Sequence, residues 1–213
     1  MNTEATNHRR GARWAGVVTG FVGVAVLATA TAVAAAYVTL PLVCNTGPSG
    51  QSFNVGVTLP ASVEAGAIYT IRLDSRSSGK ISHFGLNHLH DMTVEYVLPK
   101  GTSYVEGSAR LVAGTGTPNV QQGARVWHRA GVVTMALPGK VENGTAYTPP
   151  SIVVQVRAVG APGSSAVLTF NHFQLKANAF LVGDVAVSCD PTPQPYPIGV
   201  TVIAASADAV PIR

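Results

Sequence analysis

The densest set of side chains able to do chemistry is the run His83-Phe84-Gly85-Leu86-Asn87-His88-Leu89-His90-Asp91. On an extended strand His88 and His90 point to one face, and a His-x-His pair presents two imidazoles to zinc or copper. His83 and Asp91 would complete such a site, so His83, His88, His90 and Asp91 are the candidate metal ligands. Gly85 and Asn87 favour a loop instead, and a loop carrying several histidines needs no metal. His128, beside Trp127, and His172, between Asn171 and Phe173, stand apart from this run in sequence and could approach in space.

Other chemistries lack a complete set. Gly163-Ser164-Ser165 is not a Gly-x-Ser-x-Gly elbow and reads as a hairpin turn, so no activated serine is identified. Asp74, Asp91, Glu95, Glu106, Glu142 and Asp184 are most of the acids beyond the N-terminal segment, scattered over expected loops and solvent faces rather than paired for glycoside cleavage. Gly114-Thr115-Gly116-Thr117 has no following Lys-Ser/Thr and no helix, which excludes a phosphate loop. A Lys-Asn isopeptide link would need a buried lysine with an Asn or Asp and an acid; Lys100, Lys140 and Lys176 are the candidates, and Lys100 and Lys140 sit in turn motifs. The expectation is a protein without catalytic residues or cofactor. Trp127, Tyr69, Tyr96, Phe170, Phe173 and Phe180 are expected in the core, the alternative being an apolar cleft for a lipid or glycan.

The elements that position these residues are strands. Phe53, Val55, Val57 and Leu59 alternate, as do Tyr69, Ile71 and Leu73, then Met92, Val94, Tyr96 and Leu98. Further strands are expected over 108–112, 125–128, 132–137, 152–159, 167–170, 173–179 and 185–188. No 3.6-residue stripe is sustained in this part of the chain, and Gly or Pro recurs about every 8–12 residues, as in a sandwich or barrel. The fold class is therefore all-β, an antiparallel sandwich over residues 44–189. From 190 to 213 Pro191, Pro193, Pro195 and Pro197 predict an extended, Pro-rich C-terminal tail, with 200–204 able to add a last strand.

Upstream, Arg9, Arg10 and Arg13 precede an uncharged apolar run from Ala15 to Val43, the order of parts of an export signal. Residues 1–36 are read as a signal peptide, with an A-x-A site at Ala34–Ala36 and Tyr37 as first mature residue, or as an uncleaved helical membrane anchor. Arg9-Arg10 lies in a poor context for twin-arginine export, and Pro41-Leu42-Val43 before Cys44 is a poor context for lipidation. Membrane contact is expected only through this segment. Cleavage after 36 would leave 177 residues, enough for one core without dependence on disulfides. The remaining net charge, about +2, and the absence of a basic block exclude nucleic acid as an expected partner.

The only cysteines are Cys44 and Cys189. In an oxidising compartment two thiols bracketing a domain most simply form one disulfide, the rival being two metal-ligating thiols.

The order Val94-Glu95-Tyr96-Val97-Leu98-Pro99-Lys100-Gly101, Tyr104-Val105-Glu106-Gly107-Ser108, Gly131 to Leu137, Val141-Glu142-Asn143-Gly144-Thr145 and Ile152 to Val159 resembles the immunoglobulin-like repeat domain of unknown function common in bacterial cell-surface proteins. The whole exported part also resembles single-domain secreted proteins of actinobacteria in which an early and a late Cys bracket the sandwich. The resemblance implies an Ig-like fold in the envelope or medium, acting by contact with an envelope or extracellular protein or surface and without catalysis. The alternative function is a small-ligand or metal module using the His83 to Asp91 segment.

Overall fold

A computed structural model of the chain describes residues 36–46, 51–77, 80–112 and 121–206. The export segment read over 1–36 lies, but for its last residue, outside the described residues. The strands are β1 (Ala36–Cys44), β2 (Gln51–Thr58), β3 (Ser62–Glu64), β4 (Ile68–Ser75), β5 (Leu86–Val97), β6 (Thr102–Tyr104) and β7 (Arg110–Val112). They continue as β8 (Arg125–Arg129), β9 (Val132–Leu137), β10 (Val141–Glu142), β11 (Ser151–Ala158), β12 (Ser165–Ala179), β13 (Gly183–Pro191) and β14 (Tyr196–Ala204).

Hydrogen bonding follows one path, β6-β11-β4-β2-β1-β13-β12-β5-β9-β8, with β14 added to β12 and β3 to β14. All pairings are antiparallel except β14 with β3. The path folds into a sandwich: β11, β4, β2 and β1 supply one layer, and β14, β12, β5, β9 and β8 the other. The alternation expected for half-buried strands is realised. Val55, Ile71, Val154 and Val156 from the first layer share one core cluster with Met92, Tyr96, Val133, Leu168 and Phe170 from the second. Phe53 of β2 meets Phe170 and Phe173 of β12 at ring-centroid distances of 5.8 and 5.7 Å, which fixes one layer against the other.

The turn motifs have definite structural roles. Pro99-Lys100-Gly101 reverses the chain with Gly101 at φ 78°, and the Thr102 hydroxyl and amide both donate to the Pro99 carbonyl. In the Tyr104–Ser108 segment the Ala109 amide donates to the Tyr104 hydroxyl, while Ser108 Oγ bonds the backbone of Gln155 on β11.

The packed domain is wider than 44–189. Residues 36–44, which belong to the uncharged apolar run that starts at Ala15, form β1, with Leu40 and Leu42 in the core. The Tyr37 ring lies over Gly56 and under the Arg76 guanidinium, 4.0 Å from the ring centroid. At the other end the proline-rich segment differs from the extended tail expected: residues 192–195 form a bend, with cis bonds at Thr192-Pro193 and Gln194-Pro195, between two strands of the sheet, β13 reaching Pro191 and β14 burying Ile198, Thr201 and Ile203. Prolines fit there because Pro191 ends a strand and Pro197 lies next to a register shift between Leu168 and Thr169.

Gly199 marks the tightest point of this packing. A Cβ there would lie 2.6 Å from Leu59 Cδ2 and 3.1 Å from Val57 Cγ1. Gly199→Ala is expected to lower the unfolding free energy by about 1–3 kcal/mol through overpacking, read by urea denaturation.

A polar device joins β4 to β11. Asp74 accepts from Arg72 at 2.8–3.0 Å and from the Ser151 hydroxyl. Burial pushes the Asp74 carboxyl up, but the bonds from Arg72 and Ser151 outweigh it and hold the group below its ordinary value of 3.8. A carboxyl lowered in the folded state stabilises above its unfolded value and loses that contribution as pH falls through the lower folded value. The melting temperature should therefore hold from pH 7 to 5 and fall below about pH 4, with a shallower acid fall in Asp74→Asn.

Candidate functional site

Strands β5, β12 and β13 project beyond the layer formed by β1 and β2. Cys44 pairs with Cys189, which pairs with Phe173, while β12 runs on to Ala179 and β13 begins at Gly183. The Cys44–Cys189 disulfide sits at this boundary, linking β1 to β13 across 145 residues of sequence. Both cysteines are therefore in the disulfide, and on the chain-entropy account such a link stabilises by roughly 5 kcal/mol.

The projecting sheet has two unlike faces because side chains alternate. Phe173, Leu175 and Ala177 of β12, Val185 and Val187 of β13 and Leu89 of β5 line one face. They form the floor of an apolar groove of about 490 Å³, closed at the inner end by Phe53 and the disulfide. Residues 81–86 form its far wall. This wall is tied down: Asn143 Nδ2 donates to the His83 carbonyl (3.2 Å), and the His83 amide donates to Asn143 Oδ1 (3.1 Å). The Ile81 amide donates to Thr145, and the Gly144 amide to Ile81.

The opposite face is polar. His90 lies between Asp91 and Asp184, with Nδ1 and Nε2 each 3.2 Å from a carboxylate oxygen, and Lys176 bonds Asp91 at 3.0 Å. The Lys176 bond, ahead of a smaller opposing effect of burial, holds the Asp91 carboxyl low. Asn178 and then His90 do the same for Asp184.

The candidate metal ligands are thus divided by the sheet. His88 and His90 are neighbours, with ring centroids 5.3 Å apart, and Asp91 is beside them, as their spacing on a strand implies. Leu86–Asp91 belongs to β5, and only the start of the histidine run is a turn. His83 lines the groove on the other side and bonds the Phe84 carbonyl. Among the described residues no group of three or more His, Cys, Asp or Glu side chains is placed to hold a metal ion.

A Ser-His-Asp arrangement that local spacing did not reveal arises from the β12–β13 register. His172 Nδ1 is 2.8 Å from Asp190 Oδ1, and Ser188 Oγ is 3.5 Å from His172 Nε2. Ser188 lies within a regular strand, its amide is taken by Asn45 Oδ1 at 2.9 Å, and Asp190 also accepts from Gln194. The Ser-His contact is long, and Ser188 sits on a strand rather than in the strained turn that exposes a nucleophilic serine. The cluster serves as a cross-strand polar ladder.

The groove runs out to the tip of the molecule. The β12–β13 turn presents Phe180, Leu181 and Val182, which are 76, 89 and 75% exposed, beside the fully exposed Phe84. The Phe180 amide donates to the Gly85 carbonyl (2.9 Å), joining the two loops. Phe180 is therefore at the surface rather than in the core, and Trp127 is only partly covered, whereas Tyr69, Tyr96 and Phe170 are buried as expected. A signal for the tip is in the sequence: three large apolar residues directly before Gly183, which turns the chain at φ 78°.

No family model matches the chain, and no curated protein matches it either. Among solved structures, a Corynebacterium diphtheriae protein described as membrane anchored is 15% identical, with a TM-score of 0.48 over 80% of this chain and 38% of its own. The collagen binding domain of Erysipelothrix rhusiopathiae surface protein RspB is 14% identical, with a TM-score of 0.43 over 79% and 56%. The C-terminal domain of the Streptococcus pyogenes antigen I/II-family protein AspA is 13% identical, with a TM-score of 0.41 over 78% and 46%. The chain spans between about a third and three fifths of these proteins. Likeness at this level carries no functional argument.

If Asn143 holds the wall of the groove, Asn143→Ala should speed amide exchange of His83 and Phe180 at least several-fold while core amides such as Val133 keep their protection, measured by NMR.

Proposed function

We propose that this chain is an exported, non-enzymatic interaction module whose working surface is the end of the sandwich carrying Phe84 and Phe180–Val182. One observation carries the reading: a contiguous apolar surface at the end remote from Ala36. β1 and β12 run in the same direction, both being antiparallel to β13. The register Cys44–Cys189–Phe173 therefore sets Ala36 level with Ser165, at the start of β12. The 15 residues of β12 span about 50 Å, so the tip lies far from where the N-terminal segment joins. A leader retained as an anchor would leave the tip facing outward, and a cleaved leader would leave the whole surface free.

Four large apolar side chains exposed together are uncommon on a monomer unless they meet a partner, since burying each is worth about 1.5–3 kcal/mol. The disulfide supports an oxidising compartment. Because β1 is part of the sheet from Ala36, processing is expected at Ala36 or before it.

Phe84→Ser combined with Leu181→Ser should lower retention on isolated cell envelopes of the producing organism at least about tenfold, as loss of an apolar anchor implies, with the melting temperature little changed. Equal retention would overturn the reading. N-terminal sequencing of fractionated cells should find either a start near Tyr37 or an intact membrane-bound chain; a start beyond Leu40, which would remove a core residue of β1, would contradict the account.

A second reading is favoured by the groove itself, whose volume and apolar lining suit a lipid or similar small molecule better than a glycan. Displacement of a fluorescent fatty acid, lost in Leu175→Asp and kept in the tip variant, would support it.

A further inference from the structure

We infer that the free edge of β13 beside the groove is a peptide-docking site, which takes an extended segment as an added strand with its alternate apolar side chains in the groove. The inference rests on the interaction role proposed above and specifies its partner class and mode.

The backbone direction of β13 is fixed by its neighbours. The Asn45 amide donates to the Ser188 carbonyl (2.9 Å), so Ser188 faces the lane occupied by β1. With period two, Ala186 and Asp184 face that lane as well, while Val185 and Val187 pair with Ala177 and Leu175 of β12. β1 ends at Cys44, and among the described residues beyond it Asn45 alone bonds this edge: its Oδ1 accepts from the Ser188 amide at 2.9 Å and its Nδ2 lies 3.4 Å from the Ala186 carbonyl. Among the described residues no strand pairs with 183–187 on this side.

An unpaired edge is a template for another chain unless lysine, proline, a bulge or brevity protects it. The other open edges are protected: β6 and β7 are three residues long, and β8 carries Arg125 and Arg129. Residues 183–190 contain no Lys, Arg or Pro. The same edge borders the apolar groove, so a strand laid in the vacant lane would place every second side chain over Val185 and Val187. Its other side chains would face the polar side, where Asp184, about half exposed, favours a basic residue. A lipid would use the groove and leave the backbone groups unused, which is why a peptide is the occupant these observations favour.

The test uses the exported chain and a labelled synthetic peptide with valine at alternate positions and lysine or threonine between them, followed by fluorescence anisotropy. The wild type should bind. Ala186→Pro removes an outward N–H without touching the β12 ladder, and should weaken binding at least about tenfold while the melting temperature stays close to wild type. A peptide N-methylated on the amides that would face β13 should not bind. Unchanged binding by Ala186→Pro, equal binding of the N-methylated peptide, or no peptide binding alongside uptake of phosphatidylcholine vesicles would each overturn the inference. The tip variants leave this edge intact. Envelope retention lost on tip substitution but unaffected by Ala186→Pro would therefore sink the docking edge and leave the broader interaction role standing.

Discussion

The structure depends on one long strand. β12 is paired with β5 over 169–179 on one side, and on the other it pairs with β14 over 165–170 and with β13 over 173–179. That exchange of partners carries the chain from one layer of the sandwich to the other and leaves the second half of the strand beyond the packed core. The irregularities that permit it are visible in the register, which shifts between Phe170 and His172 and again between Gln174 and Lys176. Opposite the second shift, Asp91 adopts φ 50°, an uncommon conformation for a residue with a side chain, and its carboxylate is held there by Lys176 and His90. Bulges of this kind bend a strand and re-aim its side chains, and here they turn β5 and β12 out of the sandwich together.

The projecting sheet then has to satisfy two solvents at once. Its polar face does so with a ladder of His90, Asp91, Lys176, Asn178 and Asp184, and further in with His172, Ser188 and Asp190. Its apolar face continues the core outward, through Phe173 and Leu175 beyond Phe53, with no second layer of strands above it among the described residues. The segment 81–86, fixed by Asn143, covers only the β5 side. The disulfide is where the two regions meet: on one side β1 closes the sheet, and on the other no strand among the described residues pairs with 183–187 of β13.

Much of this fold was legible in the sequence where side chains alternate over a half-buried strand. Val132–Leu137 and Ser151–Ala158 lie where the period-two pattern places them. Two features were hidden for physical reasons. Residues 36–44 share their Val, Ala and Leu composition with the apolar run before them, so a buried strand and an apolar leader read alike. The break at Asn171-His172 suggested two strands because a bulge interrupts the alternation without ending the strand. At the candidate site, the juxtaposition of His88 and His90 followed from spacing alone, whereas the separation of His83 depends on a turn at Gly85. The His172–Asp190–Ser188 cluster depends on the register between β12 and β13, which no local spacing encodes.

The account stands on the claim that β13 has an open edge at the far end of the molecule. Residue-resolved hydrogen exchange of the β13 amides tests it most directly. The account predicts slow exchange for Val185 and Val187, which bond β12, and exchange faster by orders of magnitude for Asp184 and Ala186, which face the vacant lane. Equal protection at all four amides would mean that the edge is covered, and would contradict it.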